Sequence, residues 1–419
     1  MSEKICAIIC EYNPFHNGHK NLTKKVQEKY NIDYFVGLMS GNFSQRSEPC
    51  ILDKYTRSEI AIKNGIDIVI NLPTAFCTNN AEIFAKGSIK ILNNLGIDYI
   101  AFGVETPNEE AFYSLAKYLL NEPHYFKKEL KKLLKSGLSY NQCLQQLIEK
   151  NSEKISSNSS EDVKKIISRP NNILALEYLK SLIKTKSKIK PIFIERVDNY
   201  NNEKIIEKFS SSSNIRKEIY NQNFENIKKF IPENSYSYFE NLQLDLNLFN
   251  KILLTKIKLE TKENLKKIYS VSEGLENRIL TLSKQTNDFN LFFNNLKTKR
   301  YKENKIKAVL LNDLLGIDKK IIQKLYTIKS NIIVKILAID SKKTVILSKI
   351  NTKNLIIRKN DINKIKYKRY SKKLFEIENK ANAIYNMISN SNLIEEDIYN
   401  KIRKIWIKFL YEDRSFKDK

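Results

Sequence analysis

Two of the chain's three histidines, His16 and His19, stand three residues apart in the segment EYNPFHNGHK, directly after the first apolar run. An imidazole beside a reacting phosphate can donate a hydrogen bond to oxygen atoms that gain charge as a leaving group departs. Pro14 disfavours further strand pairing, so the loop Glu11–Phe15 should lead into a helix starting near His16. The first turn of a helix has unpaired N–H groups and a partial positive charge, which predicts an anion site there. At i and i+3 the two histidines share a face, and Gly18 between them would let a phosphate or a nucleobase approach the backbone. Two structural alternatives stand beside this one. The pair could join Cys10 as metal ligands, although no third ligand of suitable spacing is visible, or it could simply cap the helix.

Such a loop needs a scaffold, and the first two hundred residues supply one. Lys4–Cys10, Asp33–Met39, Asp67–Asn71 and Asp98–Gly103 are short, β-branched runs bounded by polar residues and read as strands. Between them His19–Lys29, Lys54–Asn64 and Ala81–Leu92 carry apolar residues at helical spacing. Strands alternating with helices predict βαβ units and a parallel sheet, with ligands at the carboxyl ends of the strands. A helical stretch over Glu109–Lys150, a surface loop over Asn151–Asp162, helix Asn172–Ile183 and strand Pro191–Val197 complete an α/β domain. From about Phe224 the pattern is mostly helical, with candidate short strands at Asn331–Ile339 and Thr344–Ile350. The expected division is a nucleotide-binding domain over residues 1–222 and a mainly α-helical, basic region over 223–419. The fold class expected is α/β, with a Rossmann-like parallel sheet in the first domain.

Composition narrows the function classes. The 419 residues carry 73 Lys and Arg against 47 Asp and Glu, a net charge of +26. Residues 1–250 contribute +5 of this and residues 251–419 contribute +21. Charge concentrated in this way favours polyanions, nucleic acid first among them, though a Lys- and Asn-rich composition also places lysines on surfaces that bind nothing. Only 10 Gly and 8 Pro argue against a collagen-like or broadly disordered chain. The five cysteines are odd in number and scattered without a CxxC pair, so neither a zinc ribbon nor a disulfide framework is indicated. No apolar run is long enough to span a bilayer, and the expected location is the cytoplasm with no membrane partner.

The HNGH of His16–His19 after the first strand resembles the HxGH signature of the nucleotidyltransferase superfamily. Phe209–Arg216 (FSSSSNIR) is similar to its second signature, ISxTxIR, with Ser213 where Thr is usual. The resemblance extends to the bacterial tRNA(Met) cytidine acetate ligase family through EYNPFHNGH, MSGNFSQRSEP (Met39–Pro49), INLP (Ile70–Pro73), AEIFAKGSIKIL (Ala81–Leu92), FGVE (Phe102–Glu105), RPNNILALEY (Arg169–Tyr178), EGLENRI (Glu273–Ile279) and LKTKRY (Leu296–Tyr301). It implies an enzyme that activates acetate with ATP and acetylates N4 of the wobble cytidine of elongator tRNA(Met). Mg²⁺ would accompany ATP.

The resemblance further implies catalytic roles for His16 and His19. It places ATP contacts on Ile9, Cys10, Glu11, Tyr12, Asn13, Pro14, Phe15, His16, Asn17, Gly18, His19, Lys20, Asn21 and Leu22, and on Gly103, Asn171 and Arg196. Ser211, Ser213 and Arg216 are candidate phosphate contacts. These positions suit the chemistry. A glycine ending the fourth strand leaves room for a base or ribose, Asn171 offers a donor and an acceptor, and Arg196 supplies a charged fork for phosphate. Structural alternatives are a turn glycine, a helix cap and a salt bridge to Glu195 or Asp198. Ser47 stands where the family has glycine. Beyond residue 300 only charge points to tRNA, and Lys364, Lys366, Lys368 and Arg369 are the candidate contacts there. A small-molecule nucleotidyltransferase and an RNA-binding protein with a vestigial nucleotide site are the alternative functions, and the oligomeric state stays open.

Overall fold

The computed structural model describes residues 3–389 except 139, 197–208, 241, 273, 329–330, 358–360, 362 and 367. Five strands and nine helices alternate in the first half: β1 (Ile5–Cys10), α1 (Asn17–Tyr30), β2 (Tyr34–Ser40), α2 (Lys54–Lys63), β3 (Ile68–Leu72), α3 (Thr74–Cys77), α4 (Ala81–Leu95), β4 (Tyr99–Val104), α5 (Glu109–Leu120), α6 (His124–Lys135), α7 (Tyr140–Ile155), α8 (Ser160–Ser168), α9 (Pro170–Lys184) and β5 (Lys190–Glu195). The second half adds α10 (Ser212–Tyr220), α11 (Phe224–Lys228), α12 (Leu246–Lys258), α13 (Lys262–Lys267), α14 (Leu275–Gln285), α15 (Phe289–Leu296), α16 (Glu303–Leu315) and α17 (Lys319–Thr327). It closes with β6 (Val334–Ile339), α18 (Ile346–Lys349), β7 (Leu355–Ile356), α19 (Asn363–Lys366) and α20 (Arg369–Ile388).

The sheet order is β5-β4-β1-β2-β3-β6-β7, with β1 through β5 parallel as expected. The chain runs outward from β1 through β2 to β3, then returns to place β4 on the other side of β1. This reversal opens a crevice at the carboxyl ends of β1 and β4, where open α/β sheets hold ligands. Alternation along β1 sends Ile5 and Ala7 to one apolar cluster and Cys6, Ile8 and Cys10 to the other, so the sheet is covered on both faces. Local signals set the helix ends: Asp53 caps α2 through Tyr55 and Thr56, Asn80 caps α4, and Gly96 at φ 75° ends it.

Two expectations about elements need correction. The segment 151–162 is not a loop, because α7 continues to Ile155 and α8 starts at Ser160. Asn151 bonds back to Leu147 O, and Cys143, Leu147, Val163 and Ile166 are buried where the two helices pack, so tertiary burial overrides a polar local sequence. Residues 344–350 hold the short helix α18 instead of a strand, since Asp340 caps a helical turn that turns the chain away from the sheet. Strand Val334–Ile339 does form, and it pairs antiparallel with β3. The all-parallel sheet therefore ends in an antiparallel neighbour, which covers a β3 edge that would otherwise expose unpaired backbone groups. Strands β6 and β7, from the mainly helical second half, thus extend the sheet of the first.

The helix α20 adds a second link from the far end of the chain. Glu378 accepts a hydrogen bond from Lys54 Nζ at 2.5 Å and from Thr74 Oγ1 at 2.7 Å, with Lys54 only 1% exposed. Asn382 accepts from Asn42 Nδ2, and the Tyr385 hydroxyl donates to Cys50 O. Burial pushes the Glu378 carboxyl up, yet Lys54 and the Thr74 donors outweigh it and hold it below its ordinary range. Among the described residues, no helix is long and apolar enough to cross a membrane.

Candidate active site

The expected helix after β1 begins at Asn17, with His16 as its N-cap in an extended conformation. His16 Nδ1 accepts the Gly18 N–H at 3.0 Å, and His19 Nδ1 accepts the His16 N–H at 3.2 Å. The two side chains thus form a reciprocal capping box, the arrangement usually made by Ser or Thr with Glu. Their rings stack with centroids 3.7 Å apart. Because each Nδ1 accepts, the hydrogen-bond network assigns the proton of each neutral ring to Nε2. Each neutral ring is left with one N–H donor, at Nε2.

The rings are neutral for a physical reason. Burial pushes the His16 imidazole down to about 3, with the Arg196 charge adding to it, and His16 is 4% exposed. Burial and the neighbouring His16 and Arg196 push His19 well below its ordinary value too. Tyr12 and Phe15 hold His19 from the side, with ring centroids 4.9 and 5.4 Å away.

Two expectations about this turn fail. The helix end carries no unpaired N–H: Asn17 N donates to Phe230 O, Gly18 N to the His16 ring, and His19 N and Lys20 N to His16 O. An anion here would meet imidazole N–H groups and arginines, not backbone amides. Nor does Gly18 open the backbone to a ligand, because a Cβ on it would lie 2.8 Å from His16 Cε1. The glycine makes room for the His16 ring.

The same holds for Gly103. It lies in β4 beside Ile194 of β5, and a Cβ there would stand 2.9 Å from Arg196 Cγ. Gly103 therefore seats the Arg196 side chain, which leaves the end of β5 exposed and anchored by its N–H on Val104 O. Of its two suggested ion-pair partners, Asp198 lies outside the described residues. Asn171 is not the cap of α9. It sits in the helix with Nδ2 on Glu105 Oε1 at 2.5 Å, while the neighbouring, fully buried Asn172 accepts from Glu105 N and donates to Thr106. Glu105 closes this contact by accepting the Asn172 N–H, a carboxylate at a helix N-terminus.

The second signature is brought to the first. Ser211 caps α10, and four residues on from Ser212 the Arg216 guanidinium donates to Asn13 O at 2.9 Å and to Ser213 Oγ at 3.2 Å. Asn13 in turn accepts from Ile51 N. The remaining residues of the stretch divide between wall and mouth. Ile9 and Cys10 belong to β1, with the Cys10 thiol turned to Leu38 O; the Glu11 carboxylate takes the Gln45 N–H; Pro14 is buried; Asn21 and Leu22 are half-buried, and Lys20 is exposed. Lys364 and Lys368, by contrast, bond within their own neighbourhood, to Asp361 and to Asn354, while Arg369 is exposed and Lys366 lies in α19. Ser47 has φ 59°, a left-handed conformation that explains glycine as the usual residue there, and its hydroxyl is held on Thr78 O.

Arg57 was missed by sequence. It is 1% exposed, and its guanidinium donates to the carbonyls of Glu11, Ser40, Gly41 and Leu52, fixing the ends of β1 and β2 together. The available signal was two basic residues, Lys54 and Arg57, on the face that α2 turns inward. Among the described residues no group of three His, Cys, Asp or Glu side chains could hold a metal.

The family of HIGH nucleotidyl transferases matches residues 3–399. The chain is 40% identical over 327 residues to the tRNA(Met) cytidine acetate ligase of a Thermoanaerobacter species, which covers 76% of this chain and 80% of that one. It is 37% identical over 401 residues to the Clostridium perfringens protein of the same name, covering 94% and 97%. Two crystal structures of Thermotoga maritima TmcAL, one apo and one bound with alpha-thio ATP, superpose with TM-scores of 0.84 and 0.83. Each is 28% identical and covers 94% of this chain and 98% of its own.

Proposed function

The chain belongs to the tRNA(Met) cytidine acetate ligase family of HIGH nucleotidyl transferases, and from that premise we propose that it joins acetate to ATP as acetyl-adenylate and passes the acetyl group to N4 of the wobble cytidine of elongator tRNA(Met). One observation carries this reading: two stacked, neutral imidazoles sit in the turn after β1, where the Arg196 charge acts on both and Arg216 donates to Asn13 O of the same loop.

In the first step an acetate oxygen attacks the α-phosphorus and the bond to the β-phosphate oxygen breaks, so pyrophosphate leaves with the bonding electrons. Charge grows on the equatorial oxygens as this happens. Neutral Nε2–H donors of His16 and His19 would meet it without first having to shed a proton, and the Arg196 fork supplies the fixed positive charge. Arg216 acts through the loop, holding Asn13 and with it the entry to the histidine turn. In the second step the N4 of an unstacked cytosine attacks the acetyl carbonyl, AMP departs, and N4 loses a proton. The mixed anhydride provides the activation, and the protein's contribution is to position the two partners. Mg²⁺ would neutralise part of the charge on the triphosphate, and no side chain is assigned to it.

The test is to incubate the protein with ATP, Mg²⁺, labelled acetate and bacterial tRNA, digest the RNA and measure acetylated cytidine by mass spectrometry. The expected product requires ATP and is lost in His19→Asn. Tight ATP binding with no acetylcytidine would overturn the assignment.

A further inference from the structure

The connection from β4 to β5 leaves the crevice after Val104 and runs through five helices, α5 to α9, before it returns at Lys190. One of them, α6, carries a charge that its surroundings do not answer. Its 12 residues hold five lysines, Lys127, Lys128, Lys131, Lys132 and Lys135, against the single acid Glu129, a net +4 where residues 1–250 together have +5. All five are exposed, and among the described residues none has an acidic partner. Their spacing of one and four residues gathers them on one side of the helix, away from Phe126 and Leu130, which are buried in the core.

A lysine-rich composition does not explain this face. On the neighbouring helices lysines are neutralised within a turn, Lys164 by Glu161 at 2.6 Å and Lys165 by Asp162 at 3.3 Å on α8, and Lys180 by Glu177 at 2.7 Å on α9. In α6 the i,i+4 pairs Lys127/Lys131, Lys128/Lys132 and Lys131/Lys135 are all of like charge, which destabilises a helix. The helix dipole favours Lys132 and Lys135 in the last turn but gives no reason for Lys127 and Lys128 at the other end. The array is also preformed. The Tyr125 hydroxyl donates to Asn151 Oδ1 of α7 at 3.2 Å and shares a 2.9 Å hydrogen bond with Tyr118 of α5, so the start of α6 is pinned to both neighbours. A fixed row of cations about 6 Å apart along a helix complements a strand of repeating negative charges and displaces its counterions. With its apolar side spent on the core, α6 has none left to enter a lipid surface. The Lys364–Arg369 cluster offers less, since Lys364 and Lys368 are already bonded within the chain.

Resting on the proposed function, we propose that the lysine face of α6 binds the phosphate backbone of the tRNA substrate. Contacts of this kind add affinity and orientation without reading sequence. They act on the capture of RNA and leave the formation of the adenylate untouched.

The experiment measures, on the full chain, binding of a fluorescent elongator tRNA(Met) transcript across a salt series and acetate-dependent ATP–pyrophosphate exchange without RNA. Lys127→Gln/Lys131→Gln/Lys135→Gln should weaken tRNA binding by about tenfold or more at low salt and reduce the slope of log K against log salt by about two. Exchange should persist, and thermal unfolding should not shift downward, because the substitution removes repulsion between exposed side chains. Lys164→Gln/Lys165→Gln/Lys180→Gln changes the net charge equally on the paired lysines and should leave affinity and slope near wild type. Wild-type affinity and slope in the α6 variant would overturn the proposal, as would an equal change in the two variants. So would loss of binding to phosphatidylserine vesicles in the α6 variant with tRNA binding unchanged, which would assign the face to a membrane. Absence of exchange in the wild-type protein would count against the adenylation chemistry instead, since tRNA binding is read independently of it.

Discussion

The imidazoles of His16 and His19 lie face to face at 3.7 Å, a distance that two charged rings would not tolerate but two neutral ones favour. Each ring uses its Nδ1 to finish the first turn of α1, which leaves the Nε2–H for the role proposed above.

Asparagine can imitate the Nδ1 acceptor without supplying the Nε2–H. His16→Asn and His19→Asn should therefore keep the helix start, with stability changed by about 1 kcal/mol or less. Adenylate formation should fall by about 10²–10³-fold per substitution, the usual cost of one lost oxyanion donor. Acetate-dependent ATP–pyrophosphate exchange together with urea unfolding measures both. Rates close to wild type would remove the histidines from the mechanism.

The histidines also make stability depend on pH. For His16, at about 3 in the fold against an ordinary 6.5, the unfolded chain binds a proton between those values that the folded chain does not. The stabilisation is complete above pH 6.5 and is lost as the pH falls toward 3, by at most about 1.4 kcal/mol per pH unit for each histidine. His19 acts in the same direction. Asp313, which burial raises to about 6 against the pull of Lys256, has the opposite sign between 3.8 and 6. Comparing wild type with His16→Asn/His19→Asn cancels that contribution. Any stability advantage of the wild type should shrink from pH 7 to 4.5, and a difference independent of pH would mean that the folded rings carry charge.

Gly103 and Arg196 form a steric pair. Gly103→Ala places a methyl group 2.9 Å from Arg196 Cγ and should displace the guanidinium while the strand stays paired. ATP affinity should drop by about tenfold to a hundredfold, as for loss of a charged hydrogen bond. In an Arg196→Ala background the same glycine change should cost almost nothing. Calorimetric titration of ATP into the four proteins of this cycle is decisive, because additive effects would show that Gly103 meets the nucleotide itself.

Breaking the Lys54–Glu378 pair should be costly. Glu378→Gln leaves the Lys54 ammonium buried at 1% exposure without its counter-charge, and about 3–5 kcal/mol of stability should go. Replacing both residues by apolar ones of similar size should restore much of it. Denaturant unfolding of the single and double variants measures the difference, and equal losses would show that α20 is held mainly by its apolar face.

What was legible in the chain was what neighbouring residues decide. Short β-branched runs alternating with amphipathic ones gave the five parallel strands, and the histidine pair with its loop lies within one contiguous segment whose chemistry is visible in its residue types. Their use was another matter. Gly18 and Gly103 stand out in the sequence, but each makes room for a side chain, His16 or Arg196, whose position depends on packing. The helix end at Asn17 looked open because its closing acceptor, Phe230 O, arrives from more than two hundred residues away. Arg57 and the antiparallel pairing of β6 with β3 went unread for the same reason.

Hydrophobic period and capping chemistry act over a few residues and leave a local trace. Pairings such as Arg216 with Asn13, or Glu378 with Lys54, are selected only when distant elements are packed together, because their hydrogen bonds replace water lost on burial. The sequence by itself determined the parallel scaffold and the position of the histidine turn. Only the tertiary structure decided that the histidines are neutral, since it takes the packed aromatic rings and the nearby Arg196 to drive their protons off.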